Sequence, residues 1–242
     1  TLASQKEGVG LFRQELSAFL SLGGKIIYNS PVDKLLVENG VVTGIVCGNR
    51  SVNADAVILA SGGFEASSDL RKKYIGKDWS AAKVRGTPHN TGDGLVMALD
   101  VGASKNGFYK GCHATPMDLH MKDFGGLDLE PSERKNYRKI CYFLGIMINA
   151  NGKRFLDEGL NFRNYTYAQF GARVLEQPNH FAWQIFDSKV TSLLYEEYFF
   201  HDAHFVENET LEGLISSLKN IDKNELKKTI LEFNDAVDTS IE

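Results

Sequence analysis

The sequence predicts an α/β layer over residues 1–108, followed by an α+β insertion over residues 109–242. Three observations predict it. Apolar spacing alternates between helix and strand through the first third of the chain. A buried-looking apolar run, Ala56-Val57-Ile58-Leu59-Ala60, stops abruptly at Ser61-Gly62-Gly63. Near Gly107 the texture changes, and glycine, histidine and charged residues take over.

The elements follow in order. Leu11, Phe12, Leu16, Phe19 and Leu20 recur at helical spacing, and Gly23-Gly24 supplies the stop. Lys25-Ile26-Ile27-Tyr28 reads as a short buried strand. Val32 to Glu38 and Val41 to Cys47 are β-rich runs around Asn39-Gly40, the favoured two-residue hairpin turn because both positions tolerate positive φ. A further short run leads into the strand at Ala56–Ala60. The order helix, strand, meander, strand, glycine pair suits a nucleotide-binding α/β layer. Residues 68–88 read as a mixed polar connection, and Thr91-Gly92-Asp93-Gly94 then opens an amphipathic helix through Leu95, Ala98 and Leu99. Beyond the boundary, Ile140 to Asn149 reads as a strand turning at Asn151-Gly152. Helices are expected over Tyr165 to Glu176, Ser188 to Tyr198, Leu211 to Leu218 and Asn224 to Asp238.

With 242 residues, 43% hydrophobic and 24% charged, the composition is that of a globular chain with a sizeable core. A net charge of -4 speaks against a nucleic-acid platform, which clusters basic residues. Cys47, Cys112 and Cys141 are odd in number and far apart, without a Cys-x-x-Cys pair. They point to a reduced, cytoplasmic home rather than a disulfide framework or a zinc site. No apolar run approaches the ~18 residues of a membrane helix, so no membrane segment is expected.

Four segments could carry chemistry. Glycines in Ser61-Gly62-Gly63 would let the backbone approach a dinucleotide closely, and they would equally make a plain strand-to-loop turn. No Gly-x-Gly-x-x-Gly occurs anywhere in the chain. Thr91-Gly92-Asp93 precedes a helix whose free N–H groups suit an anionic or carbonyl-rich ligand, and Thr91 or Asp93 could simply cap it. His113, in Cys112-His113-Ala114-Thr115-Pro116, could hold a substrate carboxylate or be a structural loop histidine. The densest stretch, Asn151 to Tyr165, contains Arg154, Arg163 and Tyr165. Arginine's planar fork pairs bidentately with carboxylates, and a salt-bridged helix start would use the same residues. His201-Asp202-x-His204 has metal-ligand spacing but no third cluster, so a surface turn is expected there.

Together these motifs resemble the fumarate reductase and succinate dehydrogenase flavoprotein superfamily. The resemblance rests on Ala60-Ser61-Gly62-Gly63-Phe64, Arg85-Gly86-Thr87-Pro88-His89-Asn90-Thr91-Gly92-Asp93-Gly94, His113-Ala114-Thr115 and Gly152-Lys153-Arg154-Phe155-x-Asp157-Glu158, in that order. Phe162-Arg163-Asn164-Tyr165-Thr166-Tyr167-Ala168 is most similar to the FAD-dependent tricarballylate dehydrogenase branch. The resemblance implies a partial FAD-binding domain of the glutathione-reductase-like Rossmann type at 1–108 and a substrate-capping domain at 109–242. The dinucleotide fingerprint is then expected before Thr1, a returning flavin segment after Glu242, and the chain itself is a fragment.

It further implies FAD as cofactor, lined by Ser61, Gly62, Gly63, Thr91, Gly92 and Asp93. The implied substrate is a small carboxylate held by His113, Arg154, Arg163 and Tyr165, with Arg163 and His113 catalytic; the electron donor or acceptor is unassigned. The alternative is a folded module that binds no flavin. The pattern departs from the reductases at three points. No Thr-Glu pair lies between Pro116 and Lys139, Ala114 replaces a proline, and the step from Glu158 to Arg163 is one residue longer.

Overall fold

The computed structural model describes residues 7–126, 129 and 136–237. They divide into two compact units. One comprises the described residues up to Leu59 together with Met97–Ala103, and the other comprises Ala60–Val96 together with those from Ser104 onward.

In the first unit, α1 (Glu7–Ser21) carries the apolar spacing read above and stops where Gly23 takes a φ of 85°. Gly24 is held tightly there, since a Cβ on it would collide with the Phe19 ring. Strands β1 (Lys34–Glu38), β2 (Val41–Cys47) and β3 (Arg50–Asn53) form an antiparallel meander in that order. Asn39 and Gly40 make the first turn at φ 51° and 80°, as their sequence requires. A bulge between Leu36 and Val37 shifts the register from Leu36↔Gly44 to Val37↔Val42.

Two expected strands are absent. Lys25–Tyr28 and Ala56–Ala60 pair with no strand among the described residues. Neither is buried: Ile27 is 71% exposed and Ile58 89%. An apolar run of this kind becomes a strand only where neighbours complete its hydrogen-bond ladder, and none does so here.

The second unit holds α2 (Ser68–Tyr74) where a plain connection was expected, followed by a 3-10 turn at Lys77–Ala81. Ser67 caps α2 by accepting the N–H of Leu70 at 3.3 Å. Arg71 is buried because it serves the backbone, donating to the carbonyls of Glu65, Trp79, Ser80 and Ala82. Helix α3 (Asp93–Asp100) begins in this unit.

The core is built on a two-stranded antiparallel sheet of β4 (Ile146–Asn149) and β5 (Ala182–Ile185). Successive side chains of a strand face opposite ways. Ile146 and Ile148 pack on Ile215, Leu218, Leu226 and Ile230, from α5 (Leu211–Ser217), the residue after it and α6 (Lys223–Ala236). Met147 faces the other way, onto Ile140, Tyr142 and Phe170, with Phe170 on α4 (Arg163–Leu175). Complete burial of each such side chain contributes about 1.5–3 kcal/mol. Helix α4 is thereby fixed to one face of β4 and α6 to the other.

The expected strand from Ile140 is confined to Ile146–Asn149, because Tyr142–Leu144 forms a 3-10 turn. Gly145 then passes so close to the Ile185 carbonyl that a side chain there would collide with it. The helix expected over Ser188–Tyr198 is two 3-10 turns, broken where Leu194 and Tyr195 turn extended. That break lets Leu194 and Tyr198 both bury against Cys141. Strand β5 had no expectation at all.

Candidate functional site

The flavin-lining residues expected from the resemblance lie within one small region. Ser61, Gly62 and Gly63 are exposed, and Gly62 adopts a φ of 83°. A Cβ on Gly62 would sit 2.6 Å from the Asn90 amide oxygen, so glycine is required for this approach. The Ala66 N–H donates to the Asn90 carbonyl at 2.9 Å, and the Asn90 side chain bonds the Glu65 carboxylate. These bonds tie the glycine turn to the segment that enters α3. There, Thr91 donates to Asp93 Oδ2 at 2.8 Å, while Gly92 is buried at φ 88° against Phe64 and Leu70. The result is bare backbone, a serine hydroxyl and a helix start, with the Asp93 and Glu65 carboxylates already hydrogen-bonded. That donor set fits a polyhydroxylated, anionic nucleotide.

A second group of residues is organised by α4. Arg163 is its first residue and half-buried. Its Nη2 donates to the Asn164 amide oxygen at 2.8 Å, and its guanidinium carbon lies 5.9 Å from the centre of the Tyr195 ring. Among the described residues it forms no ion pair. The helix has no side-chain cap and no acid in its first turn, so the positive helix end and the Arg163 charge add.

His113 reaches the same face of α4. Ala114 is clasped by the helix, donating to the Ala168 carbonyl at 2.7 Å and accepting the Gly171 N–H at 3.0 Å. Only glycine fits at 171, where a Cβ would meet the Ala114 oxygen at 2.5 Å. The clasp sets the His113 ring edge-on to Tyr167, centroids 5.1 Å apart. Tyr167 is four residues beyond Arg163 and so shares its side of the helix.

The remaining expected residues are placed differently. Tyr165, two positions after Arg163, projects from the far side of α4 and is 72% exposed. Arg154 is engaged inside the fold: its guanidinium pairs with the buried Glu158 carboxylate and lies 4.6 Å from the Phe233 ring centre. Glu158 also accepts the Met147 N–H at 2.6 Å.

Sequence reasoning passed over the residues that hold this face together. Tyr142, fully buried, shares a 2.6 Å hydrogen bond with Thr166, whose hydroxyl also donates to the Arg163 carbonyl at 3.3 Å. Burial pushes the Tyr142 phenol up, opposed by the Thr166 bond and the Arg163 charge. Burial likewise raises the Cys141 thiol, opposed by a hydrogen bond from the Tyr195 backbone, among other contacts. Lys139 is pulled below the usual lysine range by burial, although Asp118 stands 3.3 Å away. An alternation of aromatic and small polar residues is the only signal the sequence offered for this cluster.

Among the described residues no group of three or more histidine, cysteine or acidic side chains is arranged to hold a metal ion. His204 instead packs on His120 and Trp183, at 4.4 and 5.1 Å between ring centres.

The FAD binding domain family matches residues 3–242. The chain belongs to that family. FAD is therefore its cofactor, and the fold is the mixed α/β architecture of FAD-binding flavoenzymes. Among curated relatives, the 3-oxosteroid 1-dehydrogenase of Mycolicibacterium smegmatis is 29% identical over 69% of this chain and 30% of its own length. A probable fumarate reductase of Shewanella frigidimarina is 29% identical over 67% and 26%, respectively. The 4-oxocyclohex-2-ene-1-carboxylate 5-dehydrogenase of Sinomonas cyclohexanicum is 29% identical over 95% and 41%. An open-form flavocytochrome c3 fumarate reductase superposes with a TM-score of 0.69, at 24% identity, over 97% of this chain and 40% of that one. The chain thus spans between a quarter and about two fifths of these relatives. No helix among the described residues is long and apolar enough to cross a membrane.

Proposed function

We propose that this chain forms part of an FAD-dependent oxidoreductase that transfers a hydride between a small carboxylate and the flavin, of the tricarballylate dehydrogenase or fumarate reductase type. One observation carries the reading: Arg163, at the uncapped start of α4, has no acidic partner among the described residues and shares a helix side with the tyrosine that His113 touches. Residues 1–108 belong to the flavin part in this reading, and 109–242 to the cap.

Ser61, Gly62, Gly63, Thr91, Gly92 and Asp93 would hold the cofactor by backbone and hydroxyl contacts. When bound, FAD supplies the hydride acceptor or donor. The chain's own residues supply orientation and charge. Arg163 offers a planar fork to one substrate carboxylate, reinforced by the α4 dipole. His113 offers a ring N–H to a second. Holding a substrate in register in this way can contribute about 7–11 kcal/mol of the barrier. A planar guanidinium is suited to orienting a carboxylate by paired N–H bonds. Arg154 supports the site from behind through Glu158.

A ketone-bearing ring substrate is the second reading. Phe162, 80% exposed and next to Arg163 in the chain, would face such a ring, and the steroid dehydrogenase relative is named for one. The absorbance spectrum of the purified protein, with FAD and then with tricarballylate or a 3-oxosteroid added, separates the cases. Perturbation of a bound-flavin spectrum by the carboxylate supports the first reading, and perturbation by the steroid alone supports the second. Absence of bound flavin would leave a folded carboxylate-binding module.

A further inference from the structure

An arginine meant to receive a substrate carboxylate must be held without using up its donors. An acidic partner would consume them; an aromatic face contacts the cation without accepting any N–H. Arg163 spends one N–H on the Asn164 amide oxygen and is otherwise held in the second way, over the Tyr195 ring at 5.9 Å. We infer that Tyr195 is a positioning residue that fixes the Arg163 guanidinium and leaves its remaining N–H groups to a carboxylate substrate, an inference that rests on the reading of Arg163 given above.

Tyr195 is well built for this. It sits at the break between two 3-10 turns, extended at φ −69° and ψ 155°. Both flanks are anchored, because Leu194 and Tyr198 bury with Cys141 in one cluster. The Tyr198 hydroxyl accepts the Cys141 N–H at 2.8 Å and donates to Gln184 at 2.7 Å. Leu194, the residue before Tyr195, is buried against Cys141, so the backbone under the ring is tied to the core. The ring itself is only partly covered, at 37% exposure, and keeps a surface open beside the charge. A Ser188–Tyr198 helix without the break at Leu194 and Tyr195 would turn this ring elsewhere, which gives the interruption a purpose beyond packing.

The test uses the FAD-loaded holoenzyme with tricarballylate as probe. It compares wild type, Tyr195→Phe, Tyr195→Leu and Arg163→Gln for probe affinity, thermal midpoint and the Arg163 Nε–Hε resonance. Phenylalanine keeps the ring, so affinity should stay within about twofold, whereas leucine should weaken it roughly tenfold, the scale of a partly desolvated cation–π contact. The ring-current shift of the Nε–Hε resonance should disappear only in Tyr195→Leu, with an unchanged midpoint. If leucine unfolds the segment, Tyr195→Met makes the same comparison. Wild-type affinity in Tyr195→Leu, alongside loss in Arg163→Gln, would overturn the inference, as would equal losses for phenylalanine and leucine. Undiminished affinity in Arg163→Gln would sink the carboxylate reading instead. The resonance needs no substrate and would then decide on its own whether Tyr195 holds Arg163.

Discussion

Arg154 pairs with Glu158 one helical turn's worth of sequence later, and Glu158 hands the connection on to the backbone of β4 through the Met147 N–H. The pair joins the turn before α4 to the strand that α4 packs against. It is therefore a buttress for the Arg163 face, and its charge is not spare.

Removing Glu158 should be costly, because the residue is 4% exposed and its carboxylate serves a backbone donor as well as an arginine. Glu158→Ala is expected to lose about 3 kcal/mol, the scale for one partner taken from a buried pair. The exposed pair Lys153–Glu225, at 3.7 Å, gives the contrast; Lys153→Ala should change stability by about 0.5 kcal/mol or less. Urea denaturation of both variants measures the difference.

The buried Tyr142–Thr166 hydroxyl pair should behave as one unit. Thr166→Val strands the Tyr142 hydroxyl and should cost about 1–3 kcal/mol, whereas Tyr142→Phe leaves Thr166 its bond to the Arg163 carbonyl and should cost less. The double variant should cost less than the sum, since no orphaned hydroxyl remains. A double-mutant cycle showing simple additivity would mean the two groups act independently.

Gly171 is where α4 clasps the His113 segment. Gly171→Ala forces a methyl group against the Ala114 carbonyl and should cost about 1–3 kcal/mol as overpacking. It should also displace the His113 ring from Tyr167, visible as altered imidazole shifts in NMR. Unaltered shifts would show that the clasp does not set the ring.

His204 gives a pH dependence of known sign. Its pKa lies below the usual histidine value, first because it packs away from water and then because His120 and Lys219 repel its charge, with Asp118 opposing. The unfolded chain therefore takes up the proton more readily, so stability falls as pH drops from the ordinary histidine range, ~6.5, toward the lower folded value. Thermal midpoints measured across this interval should decline toward acid, and His204→Phe should flatten the decline.

Much of this fold could be read locally. The Asn39-Gly40 hairpin, the stop at Gly23 and the helices α1, α4, α5 and α6 follow from short-range patterns. Misreadings arose where partners decide. Ile26-Ile27 and Ile58-Leu59 have strand composition, yet no neighbouring strand meets them among the described residues. Leu194 and Tyr195 have helical surroundings, yet both are extended, and Leu194 is buried against Cys141. The candidate site divides in the same way. Glycine turns and arginines are visible as motifs, but nothing in the sequence distinguishes Arg154, which is engaged by Glu158, from Arg163, which is not. Tyr142, Thr166 and Tyr195 are ordinary residues until tertiary packing brings them to α4.

The account turns on Arg163 as the group that receives a substrate carboxylate beside the flavin. The direct test is the dissociation constant of tricarballylate from the FAD-loaded protein, read from the flavin difference spectrum in wild type and in Arg163→Gln. Loss of a charge-assisted, two-bond contact predicts weakening of at least about tenfold in the variant, with FAD still bound. Equal dissociation constants in the two proteins would contradict the account.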